Sequence, residues 1–282
     1  MAEFPRTQVE DVSLPRMLVG INWFLGFSHQ TAARTKFIQE YQTPKRVADV
    51  MEVFVRAGVD AVYGVVDDRA LLREAIADAQ DRTGRKITII ALPHLETADT
   101  QEATDETARI LDRQAEMGAA ICLPHADTTD SLLDRRERTI RKMDLYCRMI
   151  RDRGMVPGLS THNPETIVYA DETDLDVGTY IQPYNAAGFL MHVEIDWVHR
   201  VITNARKPVI AIKPMAAGRL QPLVGLAFAW ATLREQDMVC VGTLTPDEAK
   251  ELIEISLSLL EGRRANVELQ RTRSKASVEK KE

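Results

Sequence analysis

Residues 87–99 read ITIIALPHLETAD, and residues 119–130 read AAICLPHADTTD. Each is a short apolar run that ends in Leu-Pro-His and passes into acidic and hydroxyl residues. An apolar run without alternation is what a strand buried on both faces requires, because neither face meets water. A helix-length stretch separates the two. A strand–helix–strand unit of this kind lays its strands parallel, so both exits, carrying His94 and His125, open on the same side of the sheet.

The unit recurs along the chain. Apolar, β-rich runs fall at 17–22, 59–63, 87–92, 119–123, 155–160, 177–182, 208–213 and 238–242. Helical spacing lies between them, as in Val47, Val50, Met51, Phe54 and Val55. The last helix carries Ala249, Leu252, Ile253 and Ser256 on one face. It opens with Thr245, Pro246, Asp247 and Glu248: a cap, a first-position proline and first-turn acids. Gly58, Gly84, Gly118 and Gly154 stop helices ahead of the next strand. Eight strands alternating with eight helices predict a single-domain α/β (β/α)8 TIM barrel over residues 17–262. Residues 1–16 form an N-terminal extension and residues 263–282 a charged, solvated tail. The stretch 26–43 reads as a long loop, a lid or a surface excursion, and RERTIRK (136–142) as a solvated helix face.

Composition narrows the function. The 282 residues are 45% hydrophobic, with net charge −6 and a pI near 5.6. That balance argues against nucleic-acid or anionic-membrane binding, both of which need a basic surface. Cys122, Cys147 and Cys240 are odd in number and lack zinc-type spacing, so they read as reduced thiols. No apolar signal-peptide core opens the chain, and no run reaches about 18 apolar residues. A cytoplasmic protein is expected.

Active sites of such barrels form where the strands end, because the following loops converge on one face. The exits here carry Tyr63, His94, His125, His162, Gln182 and Lys213. Adjacent parallel strands lie about 4.8 Å apart, so three histidines at neighbouring exits can meet one divalent ion such as zinc, manganese or iron. His94, His125 and His162 are therefore the candidate metal ligands, with Glu96 or Asp60 as the proton-moving group. Alternatively, His125 serves as an oxyanion donor or acid–base group. Lys213 binds a substrate anion, or forms a Schiff base if its pKa is depressed, or pairs structurally with Asp60 or Glu96. Gly218, Arg219, Gly242 and Thr243, in the turns after strands seven and eight, form a candidate phosphate cradle. Asn163 and Gln182 are placed to contact a cofactor or polar substrate.

Several stretches in register resemble the aldo/keto reductase superfamily over most of the barrel: RDRGMVPGLSTHNPETI, VGTYIQPYN, KPVIAIKPMAAGRL and DMVCVGTLTPDEAKEL. His125 falls where that family's catalytic histidine lies. The resemblance implies the barrel fold and the possibility of NADP in the strand-seven and strand-eight turns. The family's aspartate and lysine do not carry over, since Pro93-His94 stands where the lysine belongs and GVDAVYGVVDD is shorter than the aspartate segment.

The expected function is metal-assisted lyase, isomerase or hydrolase chemistry on a small polar carbonyl or hydroxyl compound, anionic or sugar-like. The alternatives are an NADP-dependent oxidoreductase using Tyr63 and His125, and an inactive barrel that binds a nucleotide or protein. A homo-oligomer is compatible with either.

Overall fold

The computed structural model describes residues 3–66, 70–268, 275 and 278. Strands β1 (Arg6–Val9) and β2 (Val12–Pro15) form an antiparallel hairpin. Then come β3 (Met17–Gly20), β4 (Ala61–Gly64), β5 (Thr88–Ala91) and β6 (Ala119–Cys122). A second hairpin, β7 (Leu133–Asp134) with β8 (Thr139–Ile140), follows. The chain continues through β9 (Val156–Ser160), β10 (Thr179–Pro183), β11 (Val209–Ile212) and β12 (Met238–Val241). Outside the two hairpins the strands are parallel and close in chain order, β12 pairing with β3. Each barrel strand falls on one of the eight predicted runs, β4 and β10 reaching one residue past theirs, so the fold is the single (β/α)8 barrel.

Helices α1 (Ala32–Tyr41) and α2 (Pro44–Arg56) follow β3, and α3 (Ala70–Thr83) and α4 (Gln101–Glu116) follow β4 and β5. After β6 come α5 (Ala126–Ser131) and α6 (Met143–Arg151). The rest alternate singly with strands: α7 (Glu165–Glu172), α8 (Ile195–Asn204), α9 (Pro222–Thr232) and α10 (Pro246–Leu260).

Two expectations need correction. The stretch 26–43 is not an open loop, because α1 occupies most of it, started by Thr31, whose side chain accepts the Arg34 N–H at 3.2 Å. Its only buried side chain is Ile38, so it has no apolar stripe to betray it in the sequence. Residues 136–142 are not a helix face. They turn through β8 with Arg138 and Lys142 left-handed, at φ 52° and 60°. Lys142 instead reaches back to the Thr97 carbonyl at 3.1 Å.

The helix stops fall where expected: Gly58, Gly84, Gly118 and Gly154 have φ of 84°, 65°, 76° and 73°, which only glycine adopts without strain. Inside the barrel, Val9 and Leu14 of the first hairpin pack against Leu18, Ile90, Ile121 and Ile210. Each contributes about 1.5–3 kcal/mol by leaving water. Residues 6–15 thus close the N-terminal end of the barrel, and the opposite end stays open. Of the predicted tail, most of residues 269–282 lie outside the described residues. Among the described residues, no helix is long and apolar enough to cross a membrane.

Candidate active site

The repeated Leu-Pro-His has a structural cause. The parallel ladder runs past the ends of β5 and β6: Leu123 N–H donates to Ala91 O at 2.9 Å and His125 N–H to Pro93 O at 2.8 Å. Thr128 then receives the Leu95 N–H at 3.0 Å. The two exits are thereby locked in register, and the rings of His94 and His125 lie 4.1 Å apart.

Their roles diverge from there. His125 caps α5, its Nδ1 accepting the Asp127 N–H at 3.2 Å. In the neutral ring the proton therefore resides on Nε2, which makes His125 a donor toward the mouth. Burial, then the neighbouring His94, lowers its pKa, so this neutral form prevails at pH 7. His94 is outermost, its side chain 55% exposed, with Nδ1 3.9 Å from Asp127 Oδ2.

His162 does not join them. Asp130 shapes the β9 exit by accepting the His162 N–H at 3.1 Å and the Thr161 hydroxyl. This presents His162 Nε2 to Lys213 Nζ at 3.5 Å. Burial first, and the lysine charge second, push His162 down to about 4, so it is neutral and can accept from the ammonium. The expected His94–His125–His162 set is accordingly not formed. The ligand atoms that do approach one another, within 4.8 Å, belong to His94, His125 and Asp127. A cation already faces His162.

Lys213 leaves β11 with φ 59°, a left-handed conformation uncommon for a side-chain-bearing residue. Burial lowers its pKa to about 8. Among the described residues, no carboxylate pairs with it, so the alternative of a structural ion pair with Asp60 or Glu96 is not the one realised. Asp60 precedes β4 and so sits at the opposite, N-terminal end, 2.9 Å from Arg6. Glu96 is exposed, its backbone held by Thr107 and Tyr146 on the outer helices. Neither lines the mouth.

What lines it is a cavity of about 350 Å³ containing Tyr63, His125, His162 and Lys213. Tyr63 bonds to Ser160, and burial raises its pKa, keeping the phenol protonated. Cys240 lies beside Lys213, its thiol pushed up to about 12 by burial. Trp23 forms one wall against Gly242, where a Cβ would stand 3.0 Å from the indole. Trp23, Ser160 and Cys240 carry no motif that would single them out in the sequence.

The expected phosphate cradle is filled from within. Glu248 Oε2 accepts from Thr243 Oγ1 at 2.7 Å, Leu244 N at 2.8 Å and Thr245 N at 3.1 Å, so the chain's own carboxylate occupies the anion position at the start of α10. The sequence marks Glu248 as a first-turn acid but does not show its reach. Arg219 is also engaged, 4.0 Å from the Phe189 ring and donating to Ala216 O at 3.0 Å. Gly218 lines the cavity at φ 84°. Asn163 contacts His192 at 3.1 Å, away from the cavity lining. Gln182 is fully buried within β10, with Oε1 unpartnered. A dinucleotide phosphate therefore does not fit the strand-eight turn as it stands.

No family model matches the chain, and no curated protein matches it in sequence. Solved structures do share its fold. A protein described as an aldo-keto reductase of Pseudomonas aeruginosa superposes with TM-score 0.64 at 12% identity, covering 91% of this chain and 94% of that one. A truncated 3-deoxy-D-arabino-heptulosonate 7-phosphate synthase of Thermotoga maritima gives 0.56 at 11%, covering 92% and 93%. An aldo/keto reductase of Klebsiella pneumoniae in complex with NADP and acetate gives 0.52 at 13%, covering 94% and 92%. The chain is thus similar in fold to aldo/keto reductases and to other barrel enzymes.

Proposed function

We propose that the protein is an enzyme of lyase or isomerase type acting on a small polar carbonyl compound held in the barrel mouth. The observation that carries this reading is the convergence of Lys213, His162, His125 and Tyr63 on one cavity, with an amine that no carboxylate among the described residues neutralises. His125 Nε2–H and the Tyr63 hydroxyl are donors suited to a carbonyl oxygen on which charge develops. His162 is a neutral acceptor beside the amine. Glu248 and Glu251 also line the cavity, which favours an uncharged, sugar-like ligand over an anionic one.

The test is a histidine NMR titration with small hydroxy-aldehydes, hydroxy-ketones and 2-oxo acids. The His125 and His162 resonances are expected to shift together while His199, packed on Tyr184 outside the mouth, stays put. If no compound moves both at millimolar concentration, the reading fails.

One observation favours a second reading: the grouping of His94, His125 and Asp127 within 4.8 Å fits a divalent ion. Such an ion would polarise a carbonyl, with the outer positions left to substrate. Ligation through His125 Nδ1 would require giving up its bond to Asp127 N–H. Elemental analysis decides. The metal reading expects close to one equivalent, lost in Asp127→Ala and falling as acid protonates the imidazoles. Well under one equivalent, with no gain on adding zinc, manganese or iron, removes it.

The nicotinamide alternative, with Tyr63 as acid and His125 beside it, rests on the fold similarity. Because Glu248 fills the strand-eight turn, reduced NADP titrated to millimolar concentration is expected to show no saturable change in fluorescence. A saturable change that Arg219→Ala weakens would restore that alternative.

A further inference from the structure

We propose that Lys213 is a covalent catalyst: its Nζ adds to the carbonyl carbon of an uncharged hydroxy-aldehyde or hydroxy-ketone and forms a Schiff base. The proposal deepens the carbonyl reading above and rests on it.

The backbone is the first support. Lys213, Ala216 and Ala217 are all left-handed, at φ 59°, 49° and 55°. Each such residue costs on the order of 1–3 kcal/mol and persists only where its surroundings impose it. Here they do. Ala216 N–H bonds to Lys213 O at 2.8 Å, and Gln30 Nε2 bonds to Ala217 O at 2.7 Å. Gly225 of α9 lies so close to Pro214 that a Cβ there would come within 2.6 Å of its carbonyl oxygen. The strained turn fixes where the lysine side chain leaves the strand.

The surroundings of the amine are the second support. A lysine kept for structure would face a carboxylate. This one lines a cavity and faces an imidazole at 3.5 Å. An anion-binding lysine gains from a full charge. With a pKa of about 8, about a tenth of Lys213 is the free amine at pH 7, against less than about a thousandth for an exposed lysine.

The step balances without a metal or an oxidant. The free amine arises when the Lys213 ammonium gives one proton to its surroundings. Its lone pair then forms the C–N bond as the carbonyl π pair moves onto oxygen, steadied by His125 Nε2–H and Tyr63. A second proton leaves nitrogen, by way of His162 Nε2, for that oxygen. The first proton returns to the resulting hydroxyl, which departs as water while the nitrogen lone pair completes an iminium. Ammonium plus carbonyl thus gives iminium plus one water. The iminium draws electrons from the neighbouring carbon, as C–H or C–C cleavage of a hydroxy-carbonyl requires.

The test uses the intact protein with glycolaldehyde, a probe small enough for this cavity, and sodium cyanoborohydride at pH 7, read by peptide mass spectrometry. The Lys213 peptide is expected to gain one hydroxyethyl group at least tenfold faster than those bearing the exposed Lys45 and Lys250. The pH dependence of its rate should have a midpoint near 8. His162→Asn should slow the Lys213 adduct and leave those of the exposed lysines unchanged. Labelling of Lys213 no faster than Lys45 overturns the proposal. The histidine titration then separates the two failures: if His125 and His162 still shift with ligand, the carbonyl reading stands without the covalent step, and if they do not, both fall.

Discussion

Replacing Lys213 with methionine is expected to remove at least about a thousandfold of carbonyl turnover while making the protein more stable at pH 7. The first effect follows from losing a nucleophile whose adduct splits one difficult step into two easier ones. The second follows from linkage. Burial lowers the lysine from its ordinary 10.5 to about 8, so the folded state holds the proton less tightly than the unfolded chain does. Above about pH 10.5 both states are neutral and nothing is lost. Between 10.5 and 8 the unfolded chain gains protons that the folded one lacks, and stability declines as pH falls. Below 8 the penalty is complete, about 3 kcal/mol at about 1.4 kcal/mol per pKa unit. Methionine fills similar volume and carries no charge. Its gain in urea denaturation should therefore be full at pH 7 and gone near pH 10.5. Equal losses at both pH values would show that Lys213 contributes through contacts rather than as a constrained charge. His162 offers a companion reading: its pKa, about 4, should rise only part of the way in the methionine variant, since burial outweighs the lysine charge.

The barrel was legible because it depends on repeated, local features. Runs such as AAICL and MVCV are apolar throughout, and the glycines that end α2, α3, α4 and α6 need the one conformation that other residues avoid. Which residues stand at the exits was also readable from strand ends. Asp60 and Glu96 were exceptions: Asp60 stands one position before β4, at the opposite end of the barrel, and Glu96 lies past the β5 exit on the outer side. Which exits meet was not readable. His94, His125 and His162 sit on three successive exits, yet Asp130 turns His162 toward Lys213, a hydrogen bond made 32 residues away in sequence. The cradle at the start of α10 misled for a related reason. A glutamate three residues after a capping threonine is ordinary helix chemistry. Only the fold shows that its carboxylate also takes the Leu244 N–H and the Thr243 hydroxyl. Site chemistry was decided by second neighbours, and sequence spacing carries little information about those.

Asp237→Ala is expected to be the most destabilising single change at the closed end of the barrel. The side chain is wholly buried, and it accepts the Val209 N–H at 2.9 Å, the Arg234 N–H at 3.0 Å, and Arg234 Nε and Nη2 at 2.8 and 2.7 Å. Its own carbonyl accepts from Arg16 Nε at 3.0 Å, and Arg16 in turn reaches the Arg234 carbonyl at 2.8 Å. The network therefore joins the entry of β3, the start of β11 and the entry of β12. Removing the carboxylate leaves the Val209 and Arg234 N–H groups and Arg234 Nε without acceptors. It also leaves a largely buried guanidinium without its counter-charge, held only by backbone carbonyls such as those of Ala205 and Lys207, a loss of about 3–5 kcal/mol. Asp237→Asn keeps one acceptor and the volume, so about half of that loss is expected. Asp60→Ala is the matched control: its bond to Arg6 lies at the same end of the barrel, with the two side chains 19% and 35% exposed. Water screens that pair, and its removal should cost no more than about 1 kcal/mol. Urea midpoints at unchanged slope measure all three. If the Asp237 and Asp60 variants lose the same amount, burial does not set the strength of these ion pairs and the network account is wrong.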